Sequence, residues 1–184
     1  MPAYRVDINH IVTAEEVEQM MSKSQYPMHR AMIAALYLSG GRVSEVCGLR
    51  LSSFNIGEEL VTVTMETKKL GKTNEFIIRT RKLEFTKDAP FLADVLEYLA
   101  ALTEHGSTPE QRIFPVTVRT IGKTVERLSE RRFCPMNFRH SRMTKLANEG
   151  VSLGELMGWK GAKDARSVSP YLAGKPIGRR LKIT

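Results

Sequence analysis

The stretch Leu38-Ser-Gly-Gly-Arg42-Val-Ser-Glu45-Val-Cys-Gly-Leu49 joins two helical patterns across a glycine pair. Upstream of it, apolar residues recur at Met28, Met32, Ala35, Leu36 and Leu38, close to helical spacing. Ser39, Gly40 and Gly41 end that helix with permissive backbone, and residues 43–49 read as a further helical turn or two. Flexible backbone before Arg42 lets its guanidinium point into a groove. Glu45, three residues on, is spaced to orient it by an ion pair. The plainer alternative is a surface arginine at a helix start.

Working outward, Thr13-Ala-Glu-Glu16 has the form of a capping box and predicts a helix to about Met21. Val61-Thr-Val-Thr-Met65 and Phe76-Ile-Ile78 are β-rich runs, separated by Lys68-Lys-Leu-Gly-Lys-Thr-Asn74. That pattern predicts a hairpin with a long basic tip. Residues 89–102 form an amphipathic helical pattern with Phe91, Leu92, Val95, Leu96 and Leu99 on one face. Residues 117–130 form another, with Val118, Ile121, Val125 and Leu128 inward. Pro135 opens a helix that Gly150 ends, and Ser152-Leu-Gly-Glu155 is a second capping box. Beyond Lys160 the chain is basic and rich in Gly, predicting loops and a short helix around Tyr171. The sum is a single, mainly helical α+β domain with one small antiparallel sheet.

Lys and Arg outnumber Asp and Glu by 28 to 20, a formal charge of +8 that favours a polyanionic partner such as nucleic acid. The excess is uneven. From Lys160 onward seven basic residues face one acid, whereas the first forty residues hold three basic residues and four acids. The polyanion is therefore expected at the C-terminal part. Cys47 and Cys134 lie far apart without a CxxC, and the four histidines are scattered, so neither a disulfide framework nor a metal site is indicated. The most apolar stretch, residues 31–38, is too short to span a bilayer, and no apolar leader opens the chain, which reads as cytoplasmic.

Gly150-Val-Ser152-Leu-Gly154 fits the G-x-S-x-G pattern of a hydrolase nucleophile, but a helix rather than a strand precedes the serine, so Ser152 reads as a helix cap. Two further segments carry chemistry. In Asn137-Phe-Arg139-His140-Ser-Arg142, Arg139 sits in the first turn of a helix, where backbone N–H groups favour an anion. His140 beside it reads as either structural or catalytic. Gly158-Trp159-Lys160 is followed, twelve residues after the tryptophan, by Tyr171. A lone Trp is ordinarily a packing anchor and a Tyr among basic residues an ordinary surface side chain.

Taken in order, these segments resemble the tyrosine recombinase (phage integrase) family over about residues 12 to 175. The opening helix followed by Gly40-Gly-Arg42-Val-Ser-Glu45 is similar to the family's first arginine motif. Phe138-Arg-His-Ser-Arg142 with Gly158-Trp159 is similar to the second-arginine region of archaeal integrases. The resemblance implies the catalytic-domain fold of that family, with Arg42 and Arg139 as the two catalytic arginines and Tyr171 as nucleophile. It places Trp159 beside the phosphate, donating its indole N–H, and a catalytic lysine in the hairpin, taken as Lys68 with Lys69 and Lys72 as alternatives. His140 joins the candidate catalytic set, and Lys69, Lys72, Arg142, Lys160, Lys163 and Arg166 the candidate DNA contacts.

Two departures stand out. The family commonly has His three residues before the second arginine, where this chain has Met136, and the gap from Trp159 to Tyr171 is longer than usual. The resemblance also implies site-specific recombination of double-stranded DNA through a 3′-phosphotyrosyl intermediate, with no cofactor or metal, by a homo-oligomer (a tetramer) on DNA. The twelve residues before the first helix leave no room for the family's core-binding domain, so residues 1–184 are expected to be the catalytic domain alone. The rival expectations are a DNA-binding relative without activity, which Met136 favours, and a type IB topoisomerase-like enzyme.

Overall fold

The computed structural model describes residues 10–70 and 75–172, apart from the side chains of residues 69, 70 and 76. Thr13 caps α1 (Ala14–Ser22) through the reciprocal bonds with Glu16 that its spacing predicts. The central helix is α2 (Pro27–Ser39), in which Ala31, Ile33, Ala34 and Leu36 are fully buried. Such all-round burial requires neighbours on every side, and α2 packs against α1, α4 (Leu92–Glu104) and α6 (Pro135–Asn148). It stops at Gly40, whose φ of +54° ends the helix in the left-handed conformation. The short α3 (Val43–Cys47) follows.

The sheet is antiparallel in the order β1 (Phe54–Ile56), β2 (Leu60–Leu70), β3 (Phe76–Thr86). Its hairpin ladder is longer than the sequence suggested, running from Leu60 opposite Thr86 to Leu70 opposite Phe76. Val61, Val63 and Met65 on β2 and Leu83 and Phe85 on β3 are buried, and the residues between them face outward. The outward Lys82 and Glu84 mask this alternation, which is why β3 reads as ending at Ile78. The same ladder corrects the basic tip. Lys68 and Lys69 are paired strand residues, because continuing cross-strand hydrogen bonds outweigh the weak strand propensity of lysine. Lys72 lies outside the described residues. Strand β1 was not foreseen, being too short to show a period.

Helix α5 (Val118–Leu128) begins at its Thr117 cap, and α4 starts at Leu92 rather than 89, after Phe91 in a left-handed turn. Beyond α6, helix α7 (Leu153–Lys160) is capped by Ser152 and Glu155, which disposes of the hydrolase reading of Ser152. A 3₁₀ turn (Ala165–Ser167) then leads to α8 (Ser169–Leu172), which carries Tyr171 as foreseen.

Most buried side chains form one cluster between α2, the sheet and the helices around it. A second, smaller one contains Met143, Leu146, Ala147, Leu156 and Val168, with Tyr171 and Leu172 on its rim. Trp159 touches both. Gly40 lies where α2 and α6 meet, and a Cβ there would approach Arg142 Cβ to 2.6 Å on top of the positive φ. Gly40→Ala should therefore destabilise the fold by more than the ~1–2 kcal/mol of left-handed strain alone, read from the denaturant midpoint at unchanged m-value.

Candidate active site

The site assembles around one carboxylate. Glu45 lies in the first turn of α3 with its side chain 1% exposed. It accepts the Arg42 backbone N–H at 2.7 Å and Arg42 Nη1 at 2.7 Å. Arg81 Nη2, from β3, donates to it at 2.7 Å, and the Thr67 hydroxyl, from β2, donates to the same group. Arg139 Nη1 comes within 4.0 Å. Burial pushes the Glu45 carboxyl upward, but the Arg81 bond and charge, the Thr67 hydroxyl and the Arg42 N–H together bring it down to about 2. It is therefore a carboxylate at neutral pH, placed as its spacing from Arg42 suggested.

Arg139 rises from the first turns of α6 and is almost wholly buried. Its guanidinium is fixed by two backbone carbonyls, Nη1 donating to Gly40 O at 2.9 Å and Nη2 to Lys160 O at 2.6 Å. Burial first, then the charge of Arg42, lowers it to about 10 against the pull of Glu45, and it remains a cation at neutral pH. Arg42 keeps 42% of its side chain exposed. Both arginines thus face a region that already holds more positive than negative charge.

Trp159 is a different matter from the expectation. Its indole N–H donates to the Ser39 carbonyl at 2.9 Å, so it holds the turn after α2 rather than being free for a phosphate. Phe85 stands edge-on to its ring at 5.7 Å, and the Arg142 guanidinium lies over it at 4.6 Å. Arg142, expected at DNA, is accordingly a half-buried packing residue.

Tyr171 is half-buried, its ring edge-on to His140 at 5.1 Å and beneath Lys160 Nζ at 4.8 Å. Burial raises its phenol, partly offset by the charge of Arg139. His140 is held below its usual value by burial and then by the charge of Lys160, so it is neutral at pH 7. Its Nδ1 is buried and meets no partner among the described residues. Lys160, another expected DNA contact, turns inward onto Tyr171 and bonds the Ser167 carbonyl. Burial, Arg139 and Arg42 lower it.

The remaining candidates are on the surface. Lys68 is exposed, and since Thr67 faces Glu45, strand alternation puts Lys68 on the opposite face of β2. The Lys69 side chain lies outside the described residues. Lys163 is exposed, and Arg166 is exposed and paired with Asp164 at 2.8 Å. Met136 is 51% exposed at the start of α6. A cleft of about 650 Å³ opens beside the cluster, lined among others by Arg42, Thr67, Arg79, Arg81, Lys160 and Lys163. Arg79, Arg81 and Thr67 were missed in the sequence. The inward row that ends in Leu83 and Phe85 extends to Arg81, and that alternation is the signal that locates it. Among the described residues no three His, Cys, Asp or Glu side chains gather to hold a metal ion, and no helix is long and apolar enough to cross a membrane.

Residues 10–176 match the phage integrase family, and the chain belongs to that family. A tyrosine recombinase of Pseudothermotoga lettingae is 26% identical over 181 residues, covering 93% of this chain and 58% of that protein. This chain thus spans little more than half the length of that relative. Among solved structures, the XerH site-specific recombinase bound to its difH substrate superposes with a TM-score of 0.68 at 17% identity, over 93% of this chain and 50% of that one. The Tn1549 transposon integrase in complex with circular intermediate DNA gives 0.63 at 20% identity, over 92% and 62%. Both show the catalytic-domain fold of tyrosine recombinases.

The assignment of Trp159 to packing has a direct test. Trp159→Phe keeps an aromatic ring but loses part of the indole's packing and leaves the Ser39 carbonyl unpaired, so it should cost at least ~1–3 kcal/mol of stability while leaving DNA affinity unchanged. Denaturant titration and a DNA-binding isotherm on the same protein measure the two quantities.

Proposed function

We propose that this chain is the catalytic part of a site-specific recombinase that cleaves and rejoins double-stranded DNA through a 3′-phosphotyrosyl bond to Tyr171. What supports this reading is that Arg139 lies close enough to feel the charge of Arg42 and to act on the Tyr171 phenol. A phosphodiester resists nucleophiles because its oxygens are anionic. Two guanidiniums on the non-bridging oxygens neutralise that charge and stabilise it further as the pentacoordinate transition state forms. Arg139 is pre-organised for this by its two carbonyl bonds, and Arg42 by Glu45.

In the proposed step the Tyr171 oxygen forms a bond to phosphorus, the bond to the 5′-oxygen of DNA breaks, and the phenol proton must be accepted nearby. With Met136 in place of the usual histidine, His140 is the acceptor we assign. It is neutral, stands against the Tyr171 ring, and has an unpartnered ring nitrogen. The leaving 5′-oxygen takes a proton from the hairpin, with Lys68 our candidate. Its exposed position on β2 makes movement of the hairpin toward bound DNA part of the proposal. Lys163 and Arg166 are the proposed backbone contacts, while Lys160 steadies Tyr171. Family resemblance supports work as a homo-oligomer, a tetramer, on DNA in the cytoplasm, without cofactor.

The test is a nicked suicide substrate that traps the covalent adduct. Wild type should form a denaturation-resistant adduct and Tyr171→Phe none, with DNA affinity nearly unchanged. Adduct from the Phe variant would remove Tyr171 from the role. On the same substrate, His140→Ala should lower the single-turnover cleavage rate by ~10²–10⁴-fold if it accepts the phenol proton. An unchanged rate would return His140 to a structural part.

A further inference from the structure

Arg81 belongs to no motif in the sequence, yet the site closes on it. It stands opposite Met65 in the hairpin ladder and continues the inward row of Leu83 and Phe85. Its side chain is 8% exposed. A guanidinium at the end of an apolar row is costly to bury, and an isolated buried ion pair is weak evidence for stability. Its Nε and Nη1 are also buried without a partner among the described residues. Packing alone would be served better by an apolar side chain.

We propose that Arg81 is a positioning residue of the cleavage site, which keeps Glu45 ionised and through it holds the guanidinium of Arg42. The inference rests on the preceding reading of the site. The groups facing Glu45 are Arg81 from β3, Thr67 from β2, Arg42 at the cap of α3 and, at 4.0 Å, Arg139 from α6. Arg81 is the near-completely buried one of the two guanidiniums bonded to that carboxylate, so water screens its charge least. Against burial, which favours the neutral carboxyl, its bond and charge are the largest opposing influences. Arg42 is half in solvent, and among the described residues its side-chain bond goes to Glu45. A proton on Glu45 would turn that charge-assisted bond into a weaker one and release Arg42 into the cleft. Arg81 also touches the other half of the site. A Cβ at Gly161 would meet Arg81 Nη1 at 3.0 Å, so the turn after α7, on the way to Tyr171, rests on the same guanidinium.

Two readouts test this on the full chain. The first is the ¹³C titration of the Glu45 side-chain carboxyl; the second is single-turnover cleavage of the suicide substrate against pH, with DNA saturating. In Arg81→Met the Glu45 midpoint should rise. Because the ionised form is the working one, cleavage should then acquire an acid limb, lost as pH falls through the raised midpoint. Below that midpoint the rate should fall about tenfold per pH unit, with DNA affinity within about threefold of wild type. Arg81→Lys, which keeps the charge, should recover most of the rate. If Arg81→Met does not fold, Arg81→Gln takes its place. The proposal is overturned by an unmoved Glu45 midpoint, by a rate loss equal at every pH that lysine does not rescue, or by a loss confined to DNA affinity. Absence of adduct from wild type would overturn the recombinase reading instead, and the carboxyl titration would still decide whether Arg81 holds Glu45.

Discussion

A buried carboxylate surrounded by cationic groups organises this molecule. Glu45 accepts from α3, β2 and β3 at once and lies within 4.0 Å of a guanidinium from α6. Those four elements come from distant parts of the chain, so the site exists only when the whole domain has folded. Removing a single partner would leave a charge with little water to solvate it, which is more damaging than the pair is stabilising. The interaction therefore specifies one arrangement more than it lowers the free energy of the fold.

The charge balance follows from the same arrangement. One carboxylate faces Arg42, Arg81 and Arg139, and Lys160 stands close enough to lower, and be lowered by, its neighbours. The surplus positive charge is unfavourable by itself and is relieved by a bound anion. That is the electrostatic form of pre-organisation: the cost is met in folding, and the donors do not have to reorganise around an anion.

Much of this was readable in the sequence where a signal is local. The capping boxes at Thr13 and Ser152, the glycine pair before Arg42, and the spacing of Arg42 to Glu45 each act over a few residues, and each has its expected structure. What escaped was set by tertiary contact. β3 was cut short because outward charges interrupt its apolar row, and Arg81 was lost with it. The direction of Trp159, Arg142 and Lys160 was beyond reach for another reason. A basic or aromatic residue near a motif has several ways to turn, and only the packing of Ser39, Gly40 and Tyr171 against them decides which.

The smaller apolar cluster has a consequence for motion. Tyr171 lies on the rim of a cluster that, among the described residues, buries five side chains, three of them on α6, and Trp159 packs against both clusters. Stability in proteins is not uniform, and a segment with so few buried contacts opens at a fraction of the global unfolding free energy. Arg139 shares α6 with three of those side chains, so that helix spans both clusters, while Tyr171 sits at the edge of the smaller one. Local opening of the few contacts around α8 would therefore displace Tyr171 while Glu45 keeps its bonds to Arg42 and Arg81.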